Sequence, residues 1–229
     1  MRCLMLILTL FSAPRVAPAA VVSLGFNTLP SAQGWTYSAE GPSHSGQLES
    51  NIWSTDGTTL SMNTMGSPLV PPSLNTYSQT GLVNSVNSFE VTWRSRLLES
   101  QGTVAGGWGI GVALGTQQFT VGFSTGAILV AGSQIPFDAM AFHDYRLIGM
   151  PGMDSYSLYI DDDLFGSGRS FQKFPSGNYI LFGDLSGTAN SRAQLVAFTF
   201  KQVPEPCTIA LLLSGLSIAL QASQRKHRL

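Results

Sequence analysis

Apolar and polar residues alternate with a period of two along much of this chain, the signature of strands with one buried face. The clearest case is Ser88 to Leu98. There Phe89, Val91, Trp93, Ser95 and Leu97 fall on one face and Glu90, Thr92, Arg94, Arg96 and Leu98 on the other. Strands are also predicted over 107–114 and 118–123, joined by the hairpin-sized Gly115-Thr116-Gln117, and over 127–130. A further pair, 143–148 and 155–160, flanks the turn residues Met150-Pro151-Gly152-Met153-Asp154. Segments 178–182 and 194–201 supply two more. Weaker patterns lie at 21–26, 35–38 and 58–62, and the Ser, Thr, Asn and Pro-rich stretch from Gly41 to Ser85 reads as long loops on the rim.

Ten or more short strands without helical interludes predict an all-β fold, a two-sheet antiparallel sandwich. With 24 Gly and 12 Pro, composition agrees. The ends read differently. Met1-Arg2, the apolar run Cys3 to Phe11 and Ala17-Pro18-Ala19 form a signal peptide over 1–19, cleaved after Ala19. At the other end an uncharged segment of about 16 residues, roughly 207–222, is near the lower limit for a membrane-spanning helix. Pro206 suits the position before a helix start, and Arg225, Lys226 and Arg228 hold the far end on the cytoplasmic side. The domain between, residues 20–202, is thereby expected outside the membrane.

Val203-Pro204-Glu205-Pro206, the apolar segment and the basic end together resemble a PEP-CTERM sorting signal over 203–229, about an eighth of the chain. The resemblance implies recognition through Pro204, Glu205 and Pro206 by an exosortase-type transpeptidase of a Gram-negative bacterium that makes exopolysaccharide. It also implies anchorage in the inner membrane before processing, then a place in the cell envelope or extracellular matrix. Cys207, where that family usually has a small hydroxyl residue, and Gln221, Ser223 and Gln224, which dilute the basic end, are departures.

The order of strands resembles a concanavalin A-like jelly roll of the laminin-G or lectin kind. The resembling residues are Phe89-Glu90-Val91-Thr92-Trp93-Arg94, His143-Asp144-Tyr145-Arg146-Leu147, Tyr156-Ser157-Leu158-Tyr159-Ile160-Asp161, Phe182-Gly183-Asp184 and Ala193-Gln194-Leu195-Val196-Ala197-Phe198. Such sandwiches host lectins, glycosidases and adhesion modules alike, so the resemblance implies architecture only.

Both cysteines, Cys3 and Cys207, lie in the targeting segments, so the domain is expected to hold together without a disulfide. Residues 20–203 carry seven Lys/Arg against twelve Asp/Glu, a net of −5 without long runs, which argues against nucleic acid as a partner. His44 and His143 are isolated, and no Cys-x-x-Cys, His-Glu-x-x-His, Gly-x-Ser-x-Gly or phosphate-binding loop occurs. No metal, cofactor or catalytic residue is therefore expected. Glu90 and Glu99, nine positions apart, should face opposite sides of an unbroken strand and make no glycosidase pair. Asp161-Asp162-Asp163 fits a hairpin turn better than a calcium loop. Among the four tryptophans Trp93 is expected in the core, while Trp35 and Trp53 are open between a sugar-stacking surface pair and burial. The expected function is a non-catalytic surface or matrix module, with extracellular polysaccharide as a candidate partner; the alternative is a glycoside hydrolase or lyase with an unrecognised acid pair.

Overall fold

The computed structural model describes residues 21–42, 44–70, 74–81, 88–102, 106–172 and 177–203. The expected signal peptide at 1–19, the Pro204-Glu205-Pro206 motif, the helix expected at about 207–222 and the basic residues Arg225, Lys226 and Arg228 lie outside them. No helix among the described residues is long and apolar enough to cross a membrane.

Sixteen strands are described. In chain order they are β1 (Val21–Ser23), β2 (Thr36–Glu40), β3 (Trp53–Thr55), β4 (Leu60–Asn63), β5 (Leu74–Thr80), β6 (Ser88–Gly102), β7 (Trp108–Leu114) and β8 (Gln117–Ser124). Then come β9 (Ala127–Val130), β10 (Ser133–Pro136), β11 (His143–Met150), β12 (Ser155–Ile160), β13 (Asp163–Arg169), β14 (Phe171–Gln172), β15 (Tyr179–Asp184) and β16 (Ala189–Val203). They build two eight-stranded sheets. The first runs β13-β12-β11-β6-β16-β4-β3 with β1 on β16, the second β10-β9-β8-β7-β15-β5-β2 with β14 on β8. The described pairings are antiparallel. The chain is thus the all-β, two-sheet antiparallel sandwich that its periodicity predicts.

Sheet alternation sets the core. Along β6, Phe89, Val91, Trp93, Ser95 and Leu97 are buried, and opposite them in β7 and β8 lie Trp108, Ile110, Val112, Leu114, Phe119, Val121 and Phe123. Fully burying an apolar side chain of this size stabilises the fold by about 1.5–3 kcal/mol, which makes the inward face the part of each strand least free to vary.

Trp35 and Trp53, open in the sequence between a surface pair and burial, are buried: their exposures are 4% and 2%. Their rings meet Phe182 edge-on at 5.1 and 5.9 Å. The stretch 41–85 is not all loop outside the pattern at 58–62, which forms β4: it also holds β3 and β5. The inward residues of β5 are Asn75 and Tyr77, whose polar atoms are bonded to neighbours inside the protein, so the strand lacks the apolar alternation that marks the others.

The Asp161-Asp162-Asp163 cluster does form a turn. Asp161 and Asp162 have φ of 50° and 71° between the paired residues Ile160 and Asp163, left-handed positions that Asp tolerates better than most residues. Strand β6 is bulged near Leu98 rather than unbroken, so Glu99 lies opposite the outward-facing Arg192 and turns to the same outer face as Glu90. Nine residues at about 3.3 Å each still hold the two carboxylates far beyond the separation of a glycosidase pair.

Gly149 of β11 faces Phe89 across the ladder, and a Cβ there falls 2.1 Å from the ring. That ring is held by Phe119 at 5.2 Å and Phe200 at 6.4 Å, so it has little room to move. Gly149→Ala should destabilise the protein by about 1–3 kcal/mol. Gly166→Ala, whose nearest neighbour is 3.5 Å away, should cost much less. Denaturant unfolding of the two variants checks the contrast.

Candidate functional site

The outer face of the second sheet is built from small residues. Because β7 alternates Trp108, Ile110, Val112 and Leu114 inward, its outward positions are Gly109, Gly111 and Ala113; on β8 the outward set is Gln118, Thr120 and Gly122. A side chain at Gly109 has no room, since a Cβ lies 2.6 Å from Leu185 and 2.7 Å from the Val121 carbonyl. The low floor leaves a cleft of about 640 Å³, within the range of small-ligand sites.

One wall of the cleft is Gly106, Leu185, Ser186 and Thr188, ahead of β7 and between β15 and β16. The opposite wall comes from Leu129, Ala131 and Gly132 after β9 and from Arg169, Ser170 and Phe171. The backbone explains why a cleft opens there. Strand β8 pairs with β9 from Val121 to Ser124, but with β14 at Gln118 and Gln117. At the fork the Tyr156 hydroxyl, reaching from β12, accepts the Ala131 amide at 2.5 Å and donates to the Thr120 carbonyl at 3.3 Å. Burial pushes that phenol up, keeping it a neutral donor.

The described lining offers hydroxyls, among them the Tyr156 phenol, an amide, one guanidinium and the Phe171 ring, and it contains no carboxylate. Gln118 donates to the Thr120 hydroxyl at 2.9 Å, and the Ser186 and Thr188 hydroxyls are 2.8 Å apart. Phe171 is 50% exposed, an apolar face presented to solvent. Donors and acceptors around a flat apolar ring can hold a polyhydroxylated ring by hydrogen bonds at its edges and contact on its face.

Behind the Ser186 wall lies the most unusual electrostatic feature of the domain. His44 and Asp184 are both fully buried, with Nε2 and Oδ2 3.8 Å apart and neither atom hydrogen-bonded. His44 Nδ1 contacts Gln47 Oε1 at 3.1 Å, and because that oxygen can only accept, Nδ1 carries the proton in the neutral ring. Nε2 and the carboxylate therefore present two lone pairs to each other. Burial pushes the Asp184 carboxyl up to about 8, against hydrogen bonds from Thr64 and the Ser186 amide, and burial pushes the imidazole down, against Gln47. The Ser186 amide donates to Asp184 Oδ1 at 3.0 Å, so the pair fixes the wall of the cleft. Around it Asn75 accepts from Trp53 Nε1 at 2.8 Å and donates to the Tyr37 hydroxyl at 3.1 Å.

His143, isolated in sequence, meets Asp161 Oδ2 through Nδ1 at 2.6 Å; this contact, followed by the Asp144 amide, holds the Asp161 carboxyl below its ordinary range. The pair fastens the β12–β13 turn to β11. No group of three or more His, Cys, Asp or Glu placed to hold a metal occurs among the described residues. The sequence reading missed Gln118, Thr120, Arg169 and Phe171. A signal was present nonetheless: Gly-x-Gly-x-Ala beside Gln-x-Thr-x-Gly on neighbouring strands, small and polar outward while bulky inward.

No protein-family model matches the chain, and no curated protein matches its sequence. Among solved structures the chain is similar to a sialidase, with a TM-score of 0.54 at 9% identity; the match takes in 79% of this chain and 18% of that one. It is also similar to the beta-glucanase of Bacillus licheniformis, at TM-score 0.48 and 14% identity over 79% of this chain and 97% of that one. A protein of unknown function from Shewanella oneidensis MR-1 gives 0.48 and 13% over 82% and 88%. At these identities the likeness is one of fold.

Asp184 binds a proton more tightly when folded, so between its ordinary value of 3.8 and about 8 the protein loses stability as pH rises. The lowered His44 acts in the opposite sense, removing stability as pH falls below 6.5. Asp184→Asn removes the first dependence and gives Nε2 a donor. Its stability at pH 9 should exceed that of the unaltered protein by at least about 1 kcal/mol, with the gap closing toward pH 5. Thermal unfolding across that range measures it.

Proposed function

We propose that the protein is an exported, surface-sorted and non-catalytic β-sandwich module of the cell envelope or exopolysaccharide matrix, and that it binds carbohydrate in the cleft over β7 and β8. The observation that carries this reading is the cleft itself, floored by glycines and lined by hydroxyls, an amide and one guanidinium beside a half-exposed Phe171, without a carboxylate among its described residues. Glycoside hydrolysis draws on two carboxylates about 5–9.5 Å apart across the scissile bond, and this lining offers none. The concanavalin A-like jelly roll supplies the frame. Its outer sheet face is open, and a sialidase of known structure shares the fold.

Delivery rests on the ends of the chain. The segment over 1–19 directs export, the helix at about 207–222 holds the protein in the inner membrane, and Pro204-Glu205-Pro206 presents it to an exosortase-type transpeptidase. Sorting to the envelope brings the cleft to extracellular polysaccharide.

Retention on a panel of immobilised polysaccharides, with reducing ends assayed in parallel, tests the binding reading. Retention without new reducing ends is expected, and Phe171→Ala should weaken it by about 1 kcal/mol, several-fold, without changing the melting temperature. New reducing ends would instead establish the hydrolase alternative. For delivery, replacing Pro204, Glu205 and Pro206 with alanine in the parent cells should leave the uncut chain in the inner-membrane fraction, where the unaltered protein loses its tail. Identical masses and fractions for both would refute the sorting role.

A further inference from the structure

We propose that the cleft selects glycans bearing a carboxylate, with Arg169 as the residue that recognises the acid; the inference rests on the carbohydrate-binding reading above. Five arginines lie among the described residues, and four have partners for their guanidinium groups. Arg94 pairs with Asp144, and Arg192 is 3.7 Å from Glu99. Arg96 donates to Gln194 at 2.8 Å and lies 4.6 Å from the centre of the Phe142 ring, while Arg146 covers Tyr159 at 4.3 Å. Arg169 has no ion pair, side-chain hydrogen bond or ring contact among the described residues, and it is exposed at the wall of the cleft.

Charge in the lining is one-sided. Arg169 is the only charged residue among the described residues of the lining, in a domain whose overall balance is −5. A free guanidinium at the edge of a ligand cleft in an acidic protein has no structural use in the contacts described. Its planar fork of donors matches a carboxylate in two parallel hydrogen bonds. Asp154, a carboxylate bonded to this wall through Ser170, is already committed, accepting from Gln117 Nε2 at 3.0 Å and from the Ser170 hydroxyl. Two residues along the chain, Phe171 offers a face for the sugar ring whose acid Arg169 holds, and Gln118 and Thr120 across the floor are placed for its hydroxyls. The ligand class is therefore a uronic or sialic acid within an oligosaccharide, not a neutral glycan.

The test uses the full-length protein against uronate-bearing, sialate-bearing and sulfate-bearing oligosaccharides, each beside its neutral counterpart of the same length, at 50 and 500 mM NaCl. At low salt a carboxylate-bearing member should bind at least about tenfold more tightly than its neutral counterpart. The advantage should shrink at high salt, where the screening length falls from about 14 to about 4 Å. Arg169→Gln should abolish the preference of carboxylate-bearing over neutral members without changing the melting temperature, and Arg169→Lys should keep part of it. Equal binding of charged and neutral members, a preference that survives Arg169→Gln, or sulfate bound ahead of carboxylate overturns the inference and leaves carbohydrate binding standing. Failure of every oligosaccharide, neutral ones included, overturns both.

Discussion

One ring, Phe182, ties the two sheets together. From the middle of β15 it meets Trp35, Tyr77, Trp53, Trp108 and Phe198 at centroid distances of 5.1 to 6.3 Å. Tyr77 and Trp108 belong to the second sheet, and Trp53 and Phe198 to the first, so rings of both sheets meet on this one side chain, as they do further along at Phe119 and Phe123. Both cysteines lie outside residues 20–203, and aromatic packing of this kind therefore takes on what a disulfide does in many exported domains. Edge-on and tilted rings add about 0.5–1.5 kcal/mol per pair beyond the area they bury, and they fix the relative position of the sheets.

That constraint shapes the outer face. With the inward positions of β7 taken by Trp108, Ile110, Val112 and Leu114, and those of β8 by Phe119, Val121 and Phe123, the bulk of both strands is committed to the core. Their outward positions are free to be small, and glycine there lets Leu185 settle on the sheet and leaves a trough beside it. The trough is bounded where β8 exchanges β9 for β14, and Tyr156 repairs the backbone at that fork. Polarity behind the opposite wall has another source. Asp184 caps the Ser186 amide from a dry site, and His44 fills the space beyond it with an acceptor rather than a donor.

Much of the sandwich was legible in the sequence because strands with one wet face keep strict alternation: β6, β11, β12 and the later part of β16 can be read almost residue by residue. Strand β5 was not, since Asn75 and Tyr77 point inward and are satisfied by Trp53 and Glu49, partners more than twenty residues away. Trp35 and Trp53 stayed undecided for a similar reason, sitting in polar local sequence while their burial depends on the distant Phe182. Asp161 and Asp162 were readable as a turn because the left-handed conformation is a local property of the residue. The pairing of His44 with Asp184 bridges 140 positions, and no local pattern announces it. The cleft lies between these cases: the glycines of β7 were visible, whereas the meeting of Arg169 and Phe171 with Gln118 and Thr120 depends on β14 joining β8.

The most direct test of the outer face of the second sheet as the recognition surface is amide chemical-shift mapping of the protein during titration with a carboxylate-bearing oligosaccharide. Shifts concentrated at Gln118, Thr120, Gly122, Arg169 to Phe171 and Ser186 to Thr188 are the predicted result. Shifts clustered instead on the outer face of the first sheet, at Arg94, Arg96, Arg146 and Thr199, would contradict it.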